Sequence, residues 1–329
     1  MDTVSAVIPA HQAAHVLPAC LEALAASDLQ PLEVLVVDDG PSSDTTAEIA
    51  RSRGARVLSM TGRLGPGGAR NAGAAAARGD ILVFIDSDVC VRPDAVGRLV
   101  TALAGHPDVD AVFGSYDTSP PGSNFAAQYK NLLHHFVHQR GREQAQTFWA
   151  GLGAVRRSAF EGIGGFDAKR YPRPSIEDIE LGGRLRAAGR GLLLVKSAQG
   201  THLKNWTLAG VFKTDIFDRA IPWTELILAT GRVPDDLNLG FRHRLGVAAT
   251  GLGLVFGALS PFAPRLLLAA AVCLGVAVAA ASDVLLFFAR ERGWLFALRA
   301  IPIHLGYFAG SGFAFLAGLA RHLTRRRAA

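Results

Sequence analysis

Charge is distributed very unevenly along this chain, and that limits the fold more than any other feature. Over residues 245–320 the only formally charged side chains are Arg265, Asp283, Arg290, Glu291, Arg292 and Arg299. The preceding two-thirds mixes charged and apolar residues as an ordinary soluble domain does. About 20 apolar residues in a helix cross about 30 Å of hydrocarbon. Residues 245–264 carry no formal charge and 266–289 carry only Asp283, with a Pro-containing turn between them. This pattern predicts a soluble head on a two-helix membrane hairpin. Arg242 and Arg244 precede the pair, Arg290 and Arg292 follow it, and only Arg265 lies at the turn. The positive-inside tendency then puts the head in the cytoplasm, on a multi-pass protein of the cell inner membrane or plasma membrane.

A third apolar run, 300–320, contains Pro302, His304 and several glycines. Its crossing would carry Arg321 and Arg325 to Arg327 to the far side, so an interfacial or re-entrant segment is expected. Between head and hairpin, 206–244 reads as a linker with an amphipathic helix. Leu208, Val211, Phe212 and Ile216 share one face there, a pattern that suits a membrane surface or a packed surface helix. The expected division is therefore 1–205, 206–244 and 245–329.

Composition narrows the class. With 329 residues, half of them hydrophobic and 19% charged, the chain is not disordered. The net charge of +6 is concentrated near the tail, where anionic lipid attracts it, so no nucleic-acid partner is expected. Cys20, Cys90 and Cys273 lack metal-site spacing, which fits a reducing compartment. The first residues lack the basic and apolar regions of a secretory leader.

Within the head, strands and helices alternate. Residues 4–9, 33–37, 56–58 and 81–85 read as buried strands, with helices over 15–26, 44–53 and 68–78. Continuous Val/Ile/Leu strands joined by helices imply an α/β fold: a Rossmann-like, mostly parallel sheet covered on both faces. Ligands of such sheets bind beyond the carboxyl ends of the strands, where Asp38-Asp39 and Asp86-Ser87-Asp88 fall. Turn chemistry is one reading of these acids. The other is a divalent cation, since carboxylates meeting at one mouth repel unless a cation lies between them. Asp-x-Asp suits Mg²⁺ or Mn²⁺ with positions left for a substrate's phosphates. The segment Gly65-Pro66-Gly67-Gly68-Ala69-Arg70-Asn71 offers exposed N–H groups and Arg70 to an anion. Its glycines lack dinucleotide-fingerprint spacing, and no P-loop is present, which counts against a dehydrogenase and a P-loop ATPase.

Further along, Ser175 followed by Asp178 is close to a helix capping box, so Asp178 reads as a cap or as a base. His202 reads as a structural or ligating histidine. His134 and His138, four apart, have helix metal-pair spacing but no evident third ligand, and their segment reads as an amphipathic helix near the acceptor cleft.

Val-Ile-Pro-Ala (7–10), Val-Val-Asp-Asp-Gly-Pro-Ser-Ser-Asp-Thr-Thr (36–46), Gly-Gly-Ala-Arg-Asn-Ala-Gly (67–73) and Gly-Asp-Ile-Leu-Val-Phe-Ile-Asp-Ser-Asp (79–88) together resemble the family 2 glycosyltransferases of GT-A fold. The resemblance extends to about residue 205. It implies a UDP- or GDP-linked sugar donor contacted by Pro9, Ala10, Asp38 or Asp39, Arg70, Asn71, Asp86 and Ser87. It also implies Mg²⁺ or Mn²⁺ on Asp88 with His202 beside it, and an acceptor-activating segment at Glu177-Asp178, with Asp178 as base. His11-Gln12-Ala13 departs from the family's aromatic-Asn-Glu. Lys204-Asn205-Trp206 stands where processive relatives carry Gln-x-x-Arg-Trp, which favours addition of a single sugar. A base is needed by an alcohol and not by a phosphate, so the expected acceptor is a hydroxyl of a membrane lipid or lipid-linked molecule. The alternatives are polyprenyl phosphate as acceptor, or a non-catalytic nucleotide-sugar-binding scaffold.

Overall fold

The computed structural model describes residues 2–40, 42–233 and 239–328, which form two compact units, Met1–Asn205 and Trp206–Ala329. In the first unit the elements run β1 (Val4–Ala10), α1 (Leu17–Ala25), β2 (Glu33–Asp38), α2 (Thr46–Ser52), β3 (Arg56–Ser59), α3 (Gly65–Ala76), β4 (Ile81–Ile85), β5 (Val89–Val91), α4 (Ala95–Gly105), β6 (Val109–Tyr116), α5 (Phe125–Arg140), β7 (Leu152–Arg156), α6 (Arg157–Gly162), α7 (Glu177–Ala187) and β8 (Gly191–His202). They build one eight-stranded sheet of order β3-β2-β1-β4-β7-β6-β8-β5.

The half β3-β2-β1-β4 is wholly parallel. β7 runs antiparallel to both β4 and β6, and β5 antiparallel to β8, so only these two strands oppose the rest. The expected α/β class and mostly parallel sheet are observed. Strand β8 is longer than the apolar stretch 192–195 suggested, because its second half alternates buried and open positions beside β6 and β5.

Burial explains the apolar runs. Every residue of β4, and Val7, Ile8, Leu35, Val36 and Val37, lies in the core. Helix α3 lies close on this sheet through Gly73, where a Cβ would come within 2.4 Å of Val7 Cγ1 and 3.0 Å of Val37 Cγ2. Ser5 and Glu33 are a buried polar pair: Ser5 Oγ donates to Glu33 at 2.9 Å and accepts from Gly79 N–H at 2.8 Å. The chain entering β4 is thereby fixed to β1 and β2.

The second unit contains α8 (Leu208–Lys213), a π-helical stretch Thr214–Ala220, α9 (Ile221–Thr230), α10 (Phe241–Leu259), α11 (Leu266–Ala280), α12 (Ser282–Arg292) and α13 (Trp294–Ala328). Helix α10 ends at Leu259 and α11 has 15 residues. At 1.5 Å per residue the apolar part of each covers only about 22 Å, short of the hydrocarbon thickness. Among the described residues one helix, Trp294–Thr324, is long and apolar enough to cross a membrane; α11 and α12 pass only together and are bent by 59°. The third apolar run thus lies in an unbroken helix, without the reversal a re-entrant segment needs, while the expected second span is the broken one. Arg242 holds the break: its guanidinium reaches the carbonyls of Ala279 and Ala280, Ser282 Oγ, and Asp283 at 2.8 Å. The amphipathic stretch after Trp206 packs on α13, where Gly306 lies under Phe212 and Gly310 under Ile216.

Gly73→Ala should cost about 1–3 kcal/mol by overpacking. Gly183→Ala, in α7 with nothing within 4 Å of the added methyl, should stabilise by about 0.5–1 kcal/mol. Chemical unfolding of the full chain in detergent checks both. Equal effects of one sign would contradict the packing described.

Candidate active site

The carboxyl ends of β1, β2, β4, β6 and β8 share one edge of the sheet. At its centre Ala10 pairs with Asp38, and Asp39 N–H donates to Ala10 carbonyl at 2.8 Å, so Pro9, Ala10, Asp38 and Asp39 meet there. The two acids are buried and have different partners. Asp38 accepts from Ser42 Oγ at 2.6 Å. Asp39 accepts from the N–H groups of Leu64 and Gly65, at 2.6 and 3.0 Å, so its charge sits on the start of α3. Gly65 has φ +75°, and a Cβ there would meet Pro172 carbonyl at 2.4 Å, which is why only glycine fits. Ser42, Ser43, Asp44 and Thr46 bind the loop after β1 through Gln12, Ala13 and Ala14. Gln12 takes φ +52° there.

Arg70 was expected to meet an anion of the donor. It is buried instead between two carboxylates, donating to Asp86 at 2.6 Å and to Glu177 at 3.1 Å. Burial alone would lower its pKa; Asp86, Glu177 and Asp178 outweigh that and hold the guanidinium protonated. Its Cζ also lies over the Phe166 ring, 5.5 Å from the centroid. Glu177, whose side chain is 7% exposed, also accepts from Ser175 N–H at 2.9 Å. This geometry makes Glu177 an ion-pair partner, and Asn71 is likewise engaged within the fold. Its amide exchanges two 2.8 Å hydrogen bonds with the Phe166 backbone, as in a strand pair.

The turn after β4 brings Asp86, Ser87 and Asp88 to the same edge, each half-buried. Asp88 Oδ2 lies 3.4 Å from His202 Nε2, and the Asp88 carbonyl accepts from Leu203 N–H at 2.8 Å. Burial would raise the Asp88 pKa; the hydrogen bond and charge of His202, with Lys204, hold its carboxyl below the usual range. The His202 ring stacks on Tyr116, with centroids 4.3 Å apart and planes 7° apart. Among the described residues no group of three or more His, Cys, Asp or Glu could hold a metal. Two protein donors suit Mg²⁺ or Mn²⁺, which commonly keep water and substrate phosphates for the other positions.

Asp178 stands at the start of α7, half-buried. It accepts from Ile179 N–H at 2.8 Å and from Ala150 N–H at 3.2 Å, which ties it to the loop before β7. That loop is tightly packed: a Cβ on Gly182 would meet Phe148 N at 2.4 Å, and one on Gly151 the Trp149 ring at the same distance.

His134 and His138 pack against Trp149 in an aromatic cluster with Tyr116. His138 Nδ1 reaches the Gly114 carbonyl at 3.1 Å, so this ring belongs to the core packing. Sequence reasoning missed Asp117, whose carboxylate accepts from Thr201 Oγ1 at 2.6 Å and from Ser119 N–H at 2.9 Å just past β6. It also missed Asn131, which bonds His202 at 2.7 Å. Neither lies in a motif. An acid directly after a fully buried strand was the available signal for Asp117.

Residues 5–164 match the model of the Glycosyl transferase family 2 domain. Succinoglycan biosynthesis protein ExoO of Rhizobium meliloti is 38% identical over 99 residues, 30% of this chain and 28% of that protein. Pre-mycofactocin glycosyltransferase of Mycobacterium tuberculosis is 31% identical over 204 residues, 56% of this chain and 42% of that one. The chain thus spans less than half the length of these curated relatives. Among solved structures, the mannosyltransferase PcManGT from Pyrobaculum calidifontis, in complex with GDP-Man and Mn²⁺, is similar with TM-score 0.62 at 20% identity, covering 96% of this chain and 87% of that one. The fold is therefore of the GT-A type.

Arg70→Met leaves the buried Glu177 and the half-buried Asp86 without the cation they share and should destabilise the protein by about 3–5 kcal/mol. A thermal midpoint close to that of the unaltered protein would contradict the buried clamp.

Proposed function

We propose that this chain is an inverting glycosyltransferase that moves one sugar from a nucleoside-diphosphate donor to a hydroxyl of a membrane lipid or lipid-linked acceptor on the cytoplasmic face. The observation that carries the reading is Asp88 facing His202 at 3.4 Å on the strand edge where GT-A ligands bind. Asp88 and His202 would hold a divalent ion, which neutralises charge on the diphosphate as it leaves. Asp38, buried beside Ala10, faces the nucleoside end of such a donor. Asp86 keeps its second oxygen for the donor while Arg70 fixes the first.

Asp178 is the proposed base. Its carboxylate takes the proton of the acceptor hydroxyl as that oxygen attacks the anomeric carbon. The new C–O bond forms on the face opposite the breaking bond to phosphate, and the nucleoside diphosphate departs with the bonding pair. The N–H groups of Ile179 and Ala150 hold the Asp178 carboxylate in place. Helix α13 supports a membrane-borne acceptor, as do the many exposed apolar side chains of the second unit, among them Leu268, Leu295, Phe313 and Leu316. The absence of Gln-x-x-Arg-Trp after His202 supports transfer of a single residue.

Membranes containing the protein, incubated with a panel of UDP- and GDP-sugars, should yield by mass spectrometry a lipid heavier by one sugar. Asp178→Asn should slow that transfer by about 10²–10⁴-fold, with donor affinity and thermal midpoint near wild type. Near-normal transfer by a stable Asp178→Asn would point to a phosphate acceptor and overturn the hydroxyl assignment. The protein should also stay with membranes through an alkaline carbonate wash, and release into the supernatant would contradict insertion of α13.

A further inference from the structure

We infer that Asn131, on α5, is a positioning residue that fixes His202 as a metal-facing donor; the inference rests on the metal role proposed above for Asp88 and His202. Asn131 is 1% exposed. Its side-chain amide donates from Nδ2 to the Ala127 carbonyl at 3.0 Å, which turns Oδ1 toward His202 Nδ1 at 2.7 Å. An amide oxygen only accepts, so the proton of this bond belongs to His202 Nδ1. In the neutral ring Nε2 then carries the lone pair, and Nε2 is the atom facing Asp88 Oδ2 at 3.4 Å.

Two lone-pair-bearing atoms at that separation need a cation between them, either a proton on Nε2 or a metal ion. Asn131 fixes the orientation that makes Nε2 available to the metal. The same division of labour, one ring nitrogen on the metal and the other on a neighbouring acceptor, sets tautomer and basicity in metal sites generally. Tyr116 stacked on the ring removes its remaining freedom to tilt.

Helix α5 is itself held in register with His202. Its cap residue Asn124 accepts from Ala127 N–H at 2.9 Å and donates to the Asn205 side chain, three residues beyond His202. Gln128 Nε2 adds bonds to the carbonyls of Pro120 and Gly122, at 3.2 and 2.7 Å. Asn131 therefore meets His202 through a helix clamped to the end of β8.

The test is Mn²⁺ binding to the full-length protein in detergent, read from the free-Mn²⁺ electron paramagnetic resonance signal in the presence of UDP or of GDP. Asn131→Leu should weaken Mn²⁺ binding by about 10–100-fold. Asn131→Asp keeps an acceptor for the Nδ1 proton, though not the donor that meets the Ala127 carbonyl, and should bind Mn²⁺ more tightly than Asn131→Leu. A folded Asn131→Leu protein with wild-type Mn²⁺ affinity overturns the inference. Should that variant not fold, ¹⁵N-histidine spectra of the unaltered protein decide, with the His202 signals identified by their loss in His202→Gln. At about pH 9, well above the usual histidine pKa, they should report the Nδ1–H tautomer; the Nε2–H tautomer overturns the inference. Wild-type Mn²⁺ affinity in Asp88→Asn would instead overturn the underlying metal reading, and this inference with it.

Discussion

The buried guanidinium of Arg70 is the contact on which the geometry of the edge depends. It joins three parts of the chain that are far apart in sequence: α3, the turn after β4 through Asp86, and the start of α7 through Glu177. A carboxylate as deeply placed as that of Glu177 would be costly without a cation beside it, and a lone buried arginine equally so. Removing any member strands the others. The result is that Asp88, two residues after Asp86, and Asp178, next to Glu177, are set in place by a neighbour that is already fixed. Strong pairing lies under the site, beside the half-buried carboxylates of Asp88 and Asp178.

Much of this was legible in the sequence. Apolar strands ending in acids marked the sheet edge, because a buried strand that stops at a charge has to stop where that charge meets water or a partner. The sequence could not assign partners. Asp38 and Asp39 are adjacent and look equivalent, yet Asp39 caps α3 while Asp38 binds Ser42. Arg70 and Asn71 lie in a glycine-rich segment that reads as an anion site, and both are engaged by groups about 100 positions away. Such pairings depend on which helix crosses which strand. Asn131 was invisible for the same reason, since a polar residue on a mixed helix signals nothing until its neighbour across the fold is known.

The second unit teaches a related lesson about counting apolar residues. Runs of 20 or more predicted two spans, but helix breaks decide how much of a run is one rod. The turn at Ser260 to Arg265 is the expected one, but Ala281 breaks the second span, whereas Pro302 leaves α13 continuous. The reading from periodicity survived as packing. Phe212 and Ile216 lie over glycines of α13, which have no side chain to hold them off.

The most direct test of the whole account is where a metal binds. Crystals grown with Mn²⁺ and UDP or GDP would locate the ion by its anomalous scattering. The account predicts one peak bonded to both an Asp88 carboxylate oxygen and His202 Nε2, with diphosphate oxygens completing its shell. Nucleotide bound at this edge with the Mn²⁺ peak elsewhere, or with His202 turned away from it, would contradict the account.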